Sequence, residues 1–110
     1  MKRGELYLLK SDPSGKPRPI LVVSKDVLNK RAVLAIPFYS QQIEKRSAQD
    51  WCSLFYSGEG NLEKDCVANA SEITLIDKFE INQSRGPIGQ FDDAQMKRVL
   101  EAVRWVLGIE

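Results

Sequence analysis

Histidine is absent from all 110 residues. That removes histidine triads, the paired histidines of many ribonucleases and histidine-ligated metal sites, so any acid–base chemistry falls to Asp, Glu, Lys, Arg, Tyr, Ser or Cys. No apolar run approaches the roughly 18 uncharged residues of a membrane span, and no membrane partner is expected. The start, MKRGELYLLK, has an apolar part of only about four residues, with Glu5 ahead of it, and lacks the long centre of a secretion signal. A cytoplasmic protein is expected. Its two cysteines, Cys52 and Cys66, are then expected to be reduced, packed thiols. Repeats and low-complexity stretches are also missing, and the length fits one domain spanning 1–110.

What is present is uneven in charge. Residues 1–46 hold ten Lys and Arg against four acids, and residues 47–110 hold six against eleven, although the whole chain nets only +1. A basic face built by the first part would attract a polyanion.

The pattern along the chain is mainly that of strands. GELYLLK, PILVVS, AVLAIPFYS and WCSLFYS read as strands, and VANASEITLI as one strand or a pair of short ones. PILVVS, an almost continuous apolar run, is expected to be buried on both faces. KDVLNKR is a connector with room for one helical turn. QQIEKRSAQD, charged and without a period, is expected to be a loop, SGEGNLEKD is a turn cluster, and KFEINQSRGPIGQ is an extended segment. The last stretch is helical: Met96, Val99, Leu100, Val103, Val106 and Leu107 recur on one face, Asp92 and Gln95 have capping-box spacing, and Gly108 stands where a helix stops. These elements imply a small, mainly antiparallel β-barrel or curled sheet with one helix packed across it.

One short segment asks for a function. In KPRPILVVS, Arg18 stands between Pro17 and Pro19 at the mouth of a strand. Each proline fixes a backbone φ and removes chain entropy, so the guanidinium can be held in place before any ligand arrives.

Several signposts, taken in order, give the chain a resemblance to the MazF/PemK family of toxins from bacterial toxin–antitoxin pairs, running from Lys2 to Gly108. They are Arg3-Gly4-Glu5 before the first strand, Asp12-Pro13 after it, Arg18-Pro19 before ILVVS, VLAIPFYS with its proline and hydroxyl residues, and IGQFDDAQMKRVLEAVRWVLG with its closing Leu-Gly. The resemblance implies an SH3-like β-barrel of about five to seven mostly antiparallel strands with a C-terminal helix. It implies a homodimer, a cognate antitoxin as partner, and a metal-independent endoribonuclease that needs no cofactor and cuts single-stranded RNA such as mRNA. The neighbouring 2′-hydroxyl attacks, leaving a 2′,3′-cyclic phosphate and a 5′-hydroxyl.

Residue by residue, the catalytic arginine of that family falls on Arg18, whose planar fork suits charge stabilisation and leaving-group protonation better than general-base work. A family threonine falls on Tyr39, with Ser40 beside it; either hydroxyl can donate to a phosphate oxygen, and the tyrosine ring can stack on a base. Lys16, Lys25, Lys45 and Gln41 are the candidate RNA-binding residues. The chain departs from the family in two places. Only Ser14, Gly15, Lys16 and Pro17 separate Asp12-Pro13 from Arg18-Pro19, and Ser71, Glu72 and Thr74 stand where an acid-Gln pair followed by Arg is more usual. Two other functions attach to the same architecture. One is a CcdB-type gyrase-binding toxin, whose Trp-Gly-Ile tail is loosely echoed by RWVLGIE; the other is a catalytically degenerate RNA- or protein-binding member.

Overall fold

Strand β3, Ala32–Tyr39, is the centre of the fold. The computed structural model describes residues 1–10 and 17–109. Along one side β3 pairs with β2 (Pro19–Val22); along the other it pairs first with β6 (Thr74–Asp77) and then with β5 (Cys66–Asn69). Beyond β2 lies β1 (Glu5–Leu9), and beyond β5 lies β4 (Cys52–Phe55). Two-residue strands, β7 (Ile81–Asn82) and β8 (Gly89–Gln90), pair with the other side of β1. All of these pairings are antiparallel, and among the described residues the sheet stays open. The expected small β fold with a C-terminal helix is thus present as a curled sheet. Among the described residues it has eight strands where about five to seven are expected, because the extended stretch after β6 makes brief pairs at β7 and β8.

Alternation along the strands divides the buried residues into two clusters. Leu6, Leu21, Ile36 and Phe38 join Phe55, Phe91 and the helix on one side, while Tyr7, Ile20, Val22, Val33, Ala35, Ile76 and Ile81 pack together on the other. Strand β2 contributes to both, so Ile20, Leu21 and Val22 are all fully buried, as its unbroken apolar run implies. The larger cluster holds three rings, with Phe55 and Phe91 centred 4.5 Å apart and Phe38 edge-on to both at 6.2 and 5.9 Å.

Pro37 lies inside this central strand, where a missing N–H would usually break a ladder. Leu34 turns its N–H to the Ser24 hydroxyl and its carbonyl to Val23, both on the β2 side. Alternation then turns Pro37 to the opposite side, where β6 pairing ends at Ala35 and β5 pairing begins at Phe38. The absent donor falls in that gap.

Helix α2, Asp93–Leu107, starts at a complete capping box between Asp92 and Gln95 and ends at Gly108 with φ 70°. Its inner face differs from the expected one at three positions, one being Leu100, which is only half-buried and lies outside the larger cluster. Ala102 is buried and Leu107 is 60% exposed, since the small Ala102 shares a buried cluster with Ala70 and the face centres on Met96, Val99, Ala102, Val103 and Val106. Trp105, 54% exposed, stacks on Trp51 with ring centres 5.5 Å apart. Among the described residues no helix is long and apolar enough to cross a membrane. Both cysteines are free thiols, with Cys66 buried and Cys52 half-buried.

The second departure positions the site. QQIEKRSAQD is not wholly a loop: Ile43–Ser47 forms a short helix, α1, entered through Gln42 in the left-handed region at φ 54°. Five residues carry too weak a period to show in sequence, and contacts with β4 and β5 hold them. KDVLNKR supplies the expected single turn, Asp26–Leu28, and VANASEITLI resolves into β5 and β6 joined by a 3-10 turn, Ala70–Glu72.

Candidate functional site

The register of β2 against β3 brings Arg18 and Tyr39 together. Ile20 pairs with Pro37, so two residues further out Arg18 faces Tyr39, and its guanidinium carbon lies 4.3 Å from the centre of the tyrosine ring. Arg46, from α1, places its own guanidinium carbon 4.0 Å from the same centre. Each contact is a cation–π interaction, and together they concentrate two permanent positive charges at one ring.

The tyrosine's other end is also engaged. Its hydroxyl donates to Glu72 Oε1 from the Ala70–Glu72 turn. Glu72 Oε2 accepts from Asn69 Nδ2 at 2.6 Å, and Asn69 Oδ1 accepts from the backbone N–H of Ser71 at 3.0 Å and from its hydroxyl at 2.6 Å. Asn69 caps the turn and aims its amide at the carboxylate. Tyr39 pairs with Val67 in β5 and Asn69 with Cys52 in β4, so the cluster rests on three adjacent strands.

Burial foremost, then the bond to Glu72, pushes the Tyr39 phenol above its ordinary ionisation range, against the pull of Arg18 and Arg46. Cys52 is raised as well, mainly by burial, with Arg46 lowering it and Glu72 adding to the rise. The neighbourhood therefore holds a neutral phenol and a neutral thiol between charged groups. Among the described residues no group of three or more His, Cys, Asp or Glu is arranged to hold a metal ion.

The remaining candidates are spread out. Ser40 and Gln41 follow Tyr39 directly and are exposed, and Lys45 is exposed on α1 next to Arg46. Lys25 is exposed at the opposite end of β2 from Arg18, before the Asp26–Leu28 turn, and the structure does not bring it to this cluster. Lys16 lies outside the described residues. Glu72, one of the departures from the family pattern, is exposed but bound to Tyr39 and Asn69. Arg46 and Asn69 escaped the sequence reading. The Lys45-Arg46 pair was the available signal, but consecutive helical residues face different directions, and Arg46 is the one that turns to Tyr39.

Two guanidiniums gather on a tyrosine at one end of a small curled β-sheet, and guanidiniums are the side chains that meet phosphate oxygens with two parallel bonds. The chain belongs to the family of PemK-like, MazF-like toxins of type II toxin-antitoxin systems, whose profile it matches over residues 2–107. Solved structures share its fold. An endoribonuclease from a Mycobacterial species in complex with its cognate antitoxin superposes with a TM-score of 0.78 at 19% identity, covering 100% of this chain and 97% of that one. The Mycobacterium tuberculosis toxin MazF-mt6 gives 0.76 at 16% identity, covering 96% and 98%. MazE–MazF from Deinococcus radiodurans gives 0.75 at 18% identity, covering 100% and 97%. No curated protein matches the chain in sequence.

Proposed function

We propose that this chain, as a single domain over residues 1–110, is the toxin of a toxin–antitoxin pair and acts in the cytoplasm as a metal-independent endoribonuclease on single-stranded RNA. A homodimer and a cognate antitoxin are its partners in this reading, in line with the antitoxin complexes among the solved structures of like fold. The observation that carries it is the gathering of Arg18 and Arg46 at Tyr39 on a chain of this toxin family.

In the reaction, the 2′-oxygen attacks the adjacent phosphorus and negative charge grows on the phosphate oxygens. A guanidinium meets two of those oxygens at once, and one fixed before substrate arrives loses little freedom in doing so. Arg18 fills this role, positioned by Pro17, Pro19 and the Tyr39 ring. Arg46 adds a second positive charge for the RNA backbone, and Ser40, exposed directly after Tyr39, offers a hydroxyl.

The test is incubation of the purified protein with a defined single-stranded RNA in EDTA, followed by mapping of the ends. Cuts bearing 5′-hydroxyls are expected, with Arg18→Ala slower by at least about 10²-fold, the usual cost of one group that stabilises developing charge. Cleavage unaffected by Arg18→Ala overturns the site. Gyrase-linked DNA breaks without RNA loss would favour the CcdB-type alternative.

A further inference from the structure

The direction of one hydrogen bond constrains what Tyr39 does. A phenol has a single proton, and that of Tyr39 is donated to Glu72 Oε1. The carboxylate is steered from both ends, by Tyr39 on β3 and by Asn69 on β5. Asn69 cannot turn its amide over without losing the two bonds its oxygen accepts from Ser71. What Tyr39 presents to a ligand is therefore a lone pair. A phosphate oxygen, itself an acceptor, is mismatched to it, whereas a ribose hydroxyl, a donor, is matched.

We infer that Tyr39 and Glu72 together accept the proton of the attacking 2′-hydroxyl, with Tyr39 touching the RNA and Glu72 acting through it. The inference rests on the ribonuclease reading. As the 2′-hydroxyl gives its proton to Tyr39 Oη, Tyr39 gives its own to Glu72 Oε1. The freed 2′-oxygen pair forms the bond to phosphorus, the bond from phosphorus to the 5′-oxygen breaks, and the departing oxygen takes a proton from water. Phenol is neutral before and after; Glu72 ends protonated and, being exposed, returns that proton to solvent.

A relay suits this site better than a phenolate, because burial and Glu72 both oppose ionisation of Tyr39 alone. The charged and titratable groups around the pair are Arg18 from the start of β2, Arg46 from α1 and Cys52 from β4. Helix α2 also packs against the Ala70–Glu72 turn, and its Arg98 and Glu101 line a depression together with Cys52. Glu72 is thus a positioning residue, and Tyr39 is the catalytic one.

Single-turnover cleavage of a short RNA oligonucleotide, followed across pH, tests this. Glu72→Gln keeps an acceptor for the phenol but takes up no proton. It should lower kcat by about 10²- to 10⁴-fold, the usual range for general-base removal, with little change in KM, and should abolish the acid-side limb of the wild-type profile. Tyr39→Phe keeps a ring for both arginines and should lower kcat to a similar level, and the double variant should be no slower than either single one. If Glu72→Gln retains the wild-type kcat and limb while Arg18→Ala is inert, the relay is overturned and the ribonuclease reading stands. If Glu72→Gln does not fold, a Tyr39→Phe variant with wild-type kcat overturns the relay on its own. A wild-type protein that cuts no RNA overturns both.

Discussion

The Arg46 guanidinium carbon lies 4.0 Å from the centre of the Tyr39 ring, slightly closer than that of Arg18 at 4.3 Å. A residue from a segment without sequence period thus shares the ring that faces Arg18, the arginine flanked by two prolines. Arg46→Ala is expected to lower stability by about 0.5–1 kcal/mol, the worth of one exposed cation–π contact. If Arg46 also meets a phosphate, the salt dependence of RNA binding, plotted logarithmically, should flatten by about 0.7. Urea melts and RNA titrations at several salt concentrations measure the two effects separately, and an unchanged slope would confine Arg46 to supporting the ring.

Asn69 holds Glu72 from the side away from Tyr39, at 2.6 Å, and caps the turn that carries it. Asn69→Ala should cost about 1 kcal/mol of stability, as for other lost caps. The larger effect is expected on cleavage, about 10- to 100-fold in kcat, because a freed carboxylate no longer keeps the phenol's proton in line. A fall in stability with unchanged kcat would show the bond to be structural only.

Tyr7 lies in the smaller cluster, with its hydroxyl donating to Glu5 at 3.0 Å. Burial first, then Glu5, pushes its ionisation from 10.0 up to about 12. Between those values the unfolded chain loses the proton while the folded one keeps it, so the contribution is complete below pH 10 and is lost as pH rises towards 12. Cys66, raised to about 11 chiefly by burial, adds an earlier loss that begins near 9. Urea melts of the wild type should weaken across this range by roughly 2 kcal/mol or more. Tyr7→Phe should lose only the earlier part, and an identical decline in the variant would assign the effect elsewhere.

Gly89 packs against the Gly58–Asn61 segment so closely that a Cβ built on it would stand 1.7 Å from the Gly60 carbonyl oxygen. Backbone meets backbone there, and no side chain can rotate away to make room. Gly89→Ala is expected to destabilise by about 3 kcal/mol or more, read as a drop in the urea midpoint. A variant as stable as wild type would show that β8 can shift off β1 without cost.

Most of the secondary structure was legible because it follows strong local signals. The apolar run of β2, the caps of α2 and the turn residues after β4 each specify their state without help from distant residues. α1 was not, since five residues are too few to show a period and it is held by β4, β5 and Tyr39. The two-residue strands were hidden for the same reason: β7 and β8 exist only because β1 lies beside them. At the site, Arg18 stood out through its flanking prolines. The link from Tyr39 to Glu72 spans 33 positions and depends on the register of β3 against β5, which no local pattern encodes.

Strand β3 is held by β6 along its first half and by β5 along its last two residues, with Pro37 at the changeover. Flexing of β3 near that proline, two residues from Tyr39, is therefore one way for the two portions of the sheet to twist against each other. Such flexing would carry the phenol with one portion and Arg18 with the other, so the separation of arginine and ring works as a gauge of the molecule's internal torsion. A ligand seated across both would stiffen the whole sheet, and amides on either side of Pro37 would exchange more slowly with deuterium in its presence.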